Sequence, residues 1–212
     1  MRPRPDLTLY LVTDPELTAA RGLETVVAEA VAGGVTLVQL RQKDGAPDAM
    51  VAAGRALQAV LARLGIPLIV NDRAEVARAI GAAGVHVGQQ DLPAAAARAL
   101  LGPDAIVGLS VTCEADLATF VPGVVDYVGL GPIFATGTKP DAAPPLGETR
   151  FATIRRRLPC PVVAIGGISA DNAARAIRAG ADGVAVVSAV CGAADPRAAA
   201  RALRAAGDGA RR

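Results

Sequence analysis

Residues 179–187 read Ala-Gly-Ala-Asp-Gly-Val-Ala-Val-Val, in which a helix-ending glycine is followed at once by a short apolar strand. Glycine fits the left-handed position that closes many helices. Similar junctions stand before three earlier strands, at Ala32-Gly-Gly-Val35, Ala82-Ala-Gly-Val85 and Pro122-Gly-Val-Val-Asp126. Because they precede every second strand, the junctions predict a four-fold internal repeat.

Eight β-rich runs alternate with Ala-rich amphipathic runs along the chain. The predicted strands are Leu7–Thr13, Val35–Arg41, Pro67–Val70, Val85–Gly88, Ala105–Leu109, Asp126–Leu130, Pro161–Ile165 and Gly183–Val187. The predicted helices are Leu23–Ala32, Asp48–Leu64, Arg73–Ile80, Pro93–Leu101, Leu146–Leu158, Asn172–Ala179 and Pro196–Ala205, with a short crossover near Glu114–Phe120. Parallel neighbours need such crossovers. An open doubly wound sheet also fits the alternation, but eight strands and the repeat favour a single (β/α)8 TIM barrel over residues 1–212.

The composition argues against a nucleic-acid-binding protein and against a membrane protein. Hydrophobic residues make up 52% of the chain and aromatic residues 2%, and the net charge is +2. Few aromatic platforms and a near-neutral charge argue against a nucleic-acid partner. The three cysteines, Cys113, Cys160 and Cys191, form no CxxC pair, which favours a reducing compartment. Without an apolar leader or a long apolar run, we expect a cytoplasmic protein with no membrane partner, and homo-oligomerisation stays open.

Polar residues concentrate where the predicted strands end. Both lysines of the chain, Lys43 and Lys139, the only histidine, His86, and one of two asparagines, Asn71, follow or end strands. In a parallel barrel the carboxyl ends of the strands surround the active site. We therefore expect the functional site at this rim.

Two aspartates at the rim, Asp72 and Asp91, follow neighbouring strands. Each has a structural alternative: Asp72 begins the capping-box pattern Asp-Arg-Ala-Glu, and Asp91 precedes Leu92-Pro93 and could cap a helix. Two carboxylates on adjacent strand ends also suit a hard cation such as Mg²⁺, which takes one or two carboxylates plus phosphate oxygens and waters.

The rim also carries cations. Arg41 and Lys43 alternate at the end of strand two, so both can point into the barrel mouth, although solvated surface charge is the alternative. Lys139 follows Thr136-Gly-Thr138, which could form an anion cradle or an ordinary flexible loop. For His86, a hydrogen-bonded interior position and contact with a ligand are equally open.

Two anion pockets follow from this arrangement. Gly166-Gly167 after strand seven and Ser188 after strand eight match the monophosphate site common in such barrels. Arg41, Lys43, Lys139 and a metal on the two aspartates suit a diphosphate. No GxSxG motif is present. A diphosphate activated by a Lewis-acid metal needs no protein nucleophile.

Six motifs, in order and at matching spacing, resemble the thiamine phosphate synthase family over nearly the whole chain. They are Val38-Gln-Leu-Arg-Gln-Lys-Asp44, Ile69-Val-Asn-Asp-Arg73, Val85-His-Val-Gly-Gln-Gln-Asp-Leu-Pro93, Gly108-Leu-Ser110, Gly131-Pro-Ile-Phe-Ala-Thr-Gly-Thr-Lys-Pro140 and Ala164-Ile-Gly-Gly-Ile168. Ala135 stands where a proline is common in that family, a change that removes no ligand.

The resemblance implies a transferase that joins hydroxymethylpyrimidine diphosphate to thiazole phosphate, releasing pyrophosphate through a dissociative step. It implies pyrimidine diphosphate ligands Gln39, Leu40, Arg41, Gln42, Lys43, Asn71, Ser110 and Lys139. Arg41, Lys43, Ser110 and Lys139 would be catalytic, and Asp72 and Asp91 would hold Mg²⁺. It implies thiazole phosphate ligands Thr136, Gly137, Thr138, Gly167, Val187 and Ser188.

Three other functions compete with this expectation. A thiazole tautomerase paralogue has a similar barrel but need not bind a diphosphate, so the aspartate pair and Thr-Gly-Thr-Lys139 argue against it. A phosphosugar isomerase or epimerase would share only the monophosphate site. A non-catalytic sensor of thiamine intermediates would not need the full set of charged ligands.

Overall fold

Eight parallel strands close into a barrel in chain order, with the first strand paired to the last. The computed structural model describes residues 4–43, 46–138 and 143–211. The strands are β1 Leu9–Val12, β2 Leu37–Leu40, β3 Leu68–Asn71, β4 Gly84–Val87, β5 Ile106–Val111, β6 Tyr127–Leu130, β7 Val162–Ile165 and β8 Gly183–Val186. The predicted (β/α)8 barrel is confirmed, and the open doubly wound sheet is wrong because β1 and β8 are hydrogen-bonded neighbours.

Helices follow the strands and cover the barrel. They are α1 Pro15–Thr18, α2 Leu23–Ala32, α3 Pro47–Leu64, α4 Ala74–Ile80, α5 Ala94–Leu101, α6 Gly147–Arg155, α7 Ala173–Arg178, α8 Ser188–Cys191 and α9 Pro196–Ala210, with a 3₁₀ helix at Glu114–Thr119. Two short helices, α1 and α8, were not predicted. The Asp14 carboxylate accepts hydrogen bonds from Glu16 N and Leu17 N, which together with Pro15 starts α1.

The strands separate two apolar layers. Alternate side chains fill the barrel interior, among them Tyr10, Ile69 and Tyr127, while the others pack against the helices. Because side chains alternate across a strand, neighbouring residues of β2 face opposite sides. Gln39 therefore lies inside the barrel and Leu40 outside it, against α3.

Two of the four predicted repeat units, β5–β6 and β7–β8, share a matching ion pair. The Asp126 carboxylate accepts hydrogen bonds from Val107 N, at 2.7 Å, and from the Arg98 guanidinium. The Asp182 carboxylate accepts from Val162 N at 2.7 Å and from Arg155 at 3.0 Å. Asp126, which precedes β6, is thus bound to β5, and Asp182, which precedes β8, is bound in the same way to β7.

The second predicted glycine junction differs in detail. Gly81, with φ 66°, ends α4, whereas Gly84 is already the first residue of β4. A Cβ at Gly84 would lie 1.9 Å from the carbonyl oxygen of Ile106. Glycine at this position is therefore required for the close approach of β4 and β5, and the helix-ending role belongs to Gly81. Across the described ranges, the helices are too short or too polar to cross a membrane.

Candidate active site

Asp72 and Asp91 lie together at the carboxyl ends of β3 and β4. Asp72 follows β3 with φ 62°, in the left-handed region, and its N–H donates to His86 O at 2.8 Å. The Asp91 carboxylate accepts from Gly88 N at 2.8 Å, which folds the turn after β4. The two carboxyl groups lie close enough for the Asp91 carboxylate to raise the pKa of Asp72. Backbone strain of this kind is a frequent feature of functional sites.

Neither aspartate caps a helix. The residue before the first turn of α4 is Arg73, and the one before α5 is Pro93; neither helix has a side-chain cap. Both capping alternatives raised by the sequence are therefore wrong, and both carboxylates are available to a ligand.

The electrostatics of the pair fit a cation site. Burial raises the pKa of Asp72 to about 6, and the neighbouring Asp91 carboxylate adds to that rise, while Asn71 and the Arg41 guanidinium oppose it. Two carboxylates held this close repel each other when both are ionised, and a hard dication relieves that repulsion. Within the described residues no group of three or more His, Cys, Asp or Glu side chains forms a ready-made cage. The donor set suits an ion that keeps water and phosphate ligands, as Mg²⁺ does.

The end of β2 supplies polar and cationic groups to the same mouth. Arg41 N donates to Thr13 Oγ1 at 3.0 Å, and the Arg41 guanidinium lies 4.0 Å from the Asp14 carboxylate. Gln42 is half-buried and Lys43 is exposed beyond the strand. The Leu40 side chain is buried outside the barrel, so Leu40 could contact a ligand only through its backbone, and its place in the predicted set stays a prediction.

Ser110 lies within β5, which extends two residues beyond its predicted end. Its Oγ is 2.9 Å from His86 Nε2, and its carbonyl oxygen accepts from Gln89 Nε2 at 2.7 Å. His86 is 8% exposed, and its Nδ1 lies 3.0 Å from the Tyr127 hydroxyl. The histidine thus has the interior, hydrogen-bonded position, while its partner Ser110 reaches the mouth.

Burial lowers the pKa of His86 to about 4, a shift that the Asp91 charge opposes. We expect the imidazole to stay neutral from about pH 8 to about pH 5 in the folded protein. Because the folded pKa lies below that of an unfolded histidine, this residue's contribution to stability is present above about pH 6.5 and is lost towards about pH 4.

NMR can measure this titration without ambiguity because the chain has a single histidine. The urea-unfolded chain is the control, and its imidazole should titrate near pH 6.5. A midpoint near that value in the folded protein would contradict a neutral interior His86.

The second predicted pocket lies between the β6–α6 loop and the starts of α7 and α8. Thr138 Oγ1 donates to Ser188 Oγ at 3.1 Å, and Thr138 N donates to Thr136 Oγ1 at 3.3 Å. Gly167, with φ 64°, packs so closely on the loop that a Cβ would lie 2.2 Å from Ala135 O. The three hydroxyls of Thr136, Thr138 and Ser188 are therefore held close together beside Gly167, and hydroxyl groups of this kind can donate to an anion.

Two other predicted thiazole phosphate ligands, Gly137 and Val187, lie beside these hydroxyl-bearing residues in the chain. Gly137 is exposed in the loop, and no atom lies within 4 Å of a Cβ built on it. Val187 directly precedes α8 and packs on the interior layer. The prediction for Lys139 lies outside the described residues.

The sequence of this chain is similar to a known family along most of its length. Residues 9–190 match the family described as thiamine monophosphate synthase. The chain is 56% identical to a thiamine-phosphate synthase of Azorhizobium caulinodans over 199 residues, 94% of both chains. It is also 56% identical to one of Xanthobacter autotrophicus, over 96% of this chain and 97% of that one. The chain belongs to the thiamine monophosphate synthase family.

Solved structures agree with this membership. A thiamine phosphate pyrophosphorylase from Pyrococcus furiosus superposes with a TM-score of 0.88 at 35% identity, over 98% of both chains. Orotidine 5'-phosphate decarboxylase from Pyrococcus horikoshii superposes with a TM-score of 0.64 at 18% identity, which shows a shared barrel fold only.

Sequence reasoning missed several residues that support the site of this thiamine monophosphate synthase family member. Tyr10 and Tyr127, the only tyrosines of the chain, line the interior below the mouth. Asn172 donates to Gly167 O at 2.8 Å and accepts from Ser169 N at 2.9 Å, which fixes the loop after β7. The signal for the tyrosines was present: two polar aromatics stand in strands of a chain that otherwise has few aromatics.

Proposed function

We propose that this barrel mouth transfers a pyrimidinylmethyl group from its diphosphate to the ring nitrogen of thiazole phosphate. The carbon–oxygen bond breaks first, pyrophosphate leaves with the electron pair, and the thiazole nitrogen donates its lone pair to the resulting carbocation. One observation carries the proposal: a carboxylate pair beside Arg41 and a hydroxyl pair, Thr138 and Ser188, lie at the same end of one barrel.

The class of enzyme follows from the family. Relatives that are 56% identical over nearly their whole length are thiamine-phosphate synthases. The chain is therefore a transferase of thiamine biosynthesis that acts on small phosphorylated substrates. What we propose beyond this class is the metal, the residues and the order of bond changes.

In the proposal the diphosphate binds across β2 to β4. Arg41, Lys43 and Lys139 offset its negative charge, and Asn71 donates a hydrogen bond to it. Asp72 and Asp91 would hold the Mg²⁺ ion, and the raised pKa of Asp72, to which the nearby Asp91 carboxylate contributes, supports this role. Mg²⁺ bound there supplies Lewis-acid polarisation of the leaving group. The protein groups contribute by positioning and by stabilising charge.

The pyrimidine would lie deeper, between Gln39 and Ser110. Gln39 is 4% exposed and Ser110 lies at the mouth end of the interior, so a flat ring between them would be shielded from water. Exclusion of water matters because water competes with the thiazole nitrogen for a carbocation. No protein nucleophile is needed, and Arg41, Lys43, Ser110 and Lys139 act through contacts to the diphosphate and the ring.

The thiazole phosphate would occupy the second pocket, opposite the diphosphate. Thr136, Gly137, Thr138, Gly167, Val187 and Ser188 form the set that we assign to it. The Thr138–Ser188 contact and the close packing of Gly167 on the loop support a binding surface that is already formed. A preformed surface lowers the entropic cost of binding.

The test is to incubate the protein with both phosphorylated substrates and Mg²⁺ and to measure thiamine phosphate and pyrophosphate. We expect equimolar products, and none when either substrate is omitted or when EDTA is added. Binding of both substrates without products would favour the sensor. Turnover of a thiazole tautomer without any diphosphate would favour the tautomerase. A cytoplasmic location and the absence of a nucleic-acid partner stay predictions.

A further inference from the structure

Five polar side chains form a hydrogen-bond chain across the barrel interior, from β2 to β5. Gln39 Nε2 donates to the Tyr10 hydroxyl at 2.6 Å, and the Tyr10 and Tyr127 hydroxyls are 2.8 Å apart. Tyr127 lies 3.0 Å from His86 Nδ1, and His86 Nε2 lies 2.9 Å from Ser110 Oγ. Only its two ends, Gln39 and Ser110, belong to the proposed pyrimidine pocket; we name the whole set the interior relay.

The interior of the relay is shielded from solvent. Tyr10 is 1% and Tyr127 0% exposed, so their hydroxyls cannot turn to water for hydrogen bonds. Glycine at position 108 makes room for the contact between the two rings: a Cβ there would lie 2.3 Å from Tyr127 Cζ and 2.4 Å from His86 Nδ1. A buried polar network of this kind is stable only when each donor has an acceptor.

That requirement fixes the direction of the relay. The Gln39 amide donates to Tyr10, and the remaining described partner for the Tyr10 proton is the Tyr127 oxygen. Tyr127 must then donate its own proton to His86 Nδ1. A neutral imidazole that accepts at Nδ1 carries its proton on Nε2, so His86 donates to Ser110 Oγ.

All members of the relay are uncharged near neutral pH. Burial raises the pKa of Tyr10 and of Tyr127, and it lowers the pKa of His86 to about 4. The relay therefore transmits hydrogen-bond polarity rather than charge.

The direction sets what the two ends offer to a ligand. At one end Ser110 Oγ accepts from His86, so the Ser110 proton is left to donate into the mouth. At the other end one N–H of the Gln39 amide donates to Tyr10, which fixes the orientation of the amide and therefore of the Gln39 carbonyl oxygen, the acceptor that we assign to the ligand. His86 Nε2 is already protonated and cannot remove the Ser110 proton, which means that Ser110 is not an activated nucleophile.

We propose that Tyr10, Tyr127 and His86 are positioning residues that select an amino-substituted pyrimidine through this fixed polarity. A ring nitrogen of such a pyrimidine accepts from Ser110, and its amino group donates to Gln39. An oxo group in place of the amino group removes that donor. The oxo oxygen would then face the Gln39 carbonyl oxygen, and neither atom can donate a hydrogen bond to the other. The inference rests on the proposed function, because it assumes that the pyrimidine binds between Gln39 and Ser110.

The direction of the relay can be measured in the unaltered protein. Nitrogen-15 NMR distinguishes the two neutral tautomers, and the single histidine leaves no assignment problem. We expect the proton on Nε2. A proton on Nδ1 would reverse every donor in the relay and would overturn the proposal, whatever the enzymatic activity proves to be.

The positioning role is tested with Tyr127→Phe and, separately, with Tyr10→Phe, each of which removes one hydroxyl of the relay. We expect binding of the aminopyrimidine diphosphate to weaken about tenfold, the usual effect of one lost hydrogen bond with its partner left unpaired. Binding of inorganic pyrophosphate and of thiazole phosphate should not change. The preference for the amino over the oxo pyrimidine should fall by a similar factor.

Ile69→Val is the matched control, because it alters packing in the same interior layer without removing a polar group. It should leave the amino preference unchanged. Equal weakening of pyrophosphate and pyrimidine binding by Tyr127→Phe and Tyr10→Phe would mean a structural role only and would refute the positioning role. Failure of the wild-type protein to bind pyrophosphate would instead count against the proposed function.

Discussion

Replacing Asp91 by asparagine is expected to lower Mg²⁺-dependent turnover by on the order of a thousandfold. A bound Lewis acid contributes several kcal/mol to the stabilisation of a leaving group, and each factor of ten in rate corresponds to about 1.4 kcal/mol. Asparagine keeps a side-chain oxygen that can accept from Gly88 N, so the turn after β4 is preserved while the charge is lost. Steady-state turnover and Mg²⁺ binding by calorimetry measure the two effects separately.

Asp72→Asn should behave in the same way, and it is a better choice than alanine. Asp72 has φ 62°, a conformation that asparagine adopts more readily than most residues. A fall in activity in this variant therefore reports the lost carboxylate rather than backbone strain.

Glu75→Ala is the control for both variants. Glu75 is an exposed carboxylate in the first turn of α4, three residues beyond Asp72, and it does not touch the aspartate pair. We expect it to leave turnover and Mg²⁺ binding unchanged. Full activity in Asp91→Asn that still requires Mg²⁺ would show that the metal is bound elsewhere, and full activity without Mg²⁺ would show that the metal is not used.

The barrel could be predicted from the sequence because its signals are local. The glycine junctions, such as Ala179-Gly-Ala-Asp-Gly183, mark where a helix ends and a strand begins, and apolar runs mark the buried strands. The short helices α1 and α8 escaped prediction because four residues are too few for a periodic pattern. The end of β5 was misplaced because Ser110 is polar, although it lies in the strand and faces the interior.

The site was predictable only in part, for a similar reason. Asp72 and Asp91 stand out as acids after adjacent strands, so their meeting follows from the topology. The interior relay does not follow in this way, because Tyr10 and Tyr127 are 117 residues apart and meet only when the barrel closes. The direction of the hydrogen bonds in the relay also depends on which of its donors are shielded from water. The sequence does not reveal that burial.

The outward position of Leu40 shows a limit of transferring motif residues as a set. Gln39 and Arg41 share one side of the strand, and the residue between them must face the other. Side-chain alternation along β2 therefore separates Leu40 from its two neighbours, although all three belong to one sequence motif.

The second large effect is expected from Gly167→Ala, which should weaken thiazole phosphate binding by on the order of a hundredfold. The new Cβ would lie 2.2 Å from Ala135 O and 2.9 Å from Phe134, so the loop must retreat by roughly an ångström, a displacement that can cost about this factor. The retreat moves Thr136 and Thr138 relative to Ser188. The KM for thiazole phosphate and its dissociation constant measure the effect.

Gly65→Ala separates crowding from backbone strain. Gly65 has φ 68°, close to the 64° of Gly167, but a Cβ at Gly65 meets no atom within 4 Å, and the residue ends α3 away from the mouth. Both variants incur the left-handed penalty of roughly 1–2 kcal/mol, and only Gly167→Ala adds the crowding against the loop. Only Gly167→Ala should lose thiazole phosphate binding, and binding of the pyrimidine diphosphate should survive in both. If Gly65→Ala loses thiazole phosphate binding as severely, the loss reflects general destabilisation, and the close packing of Gly167 on the loop does not shape the pocket.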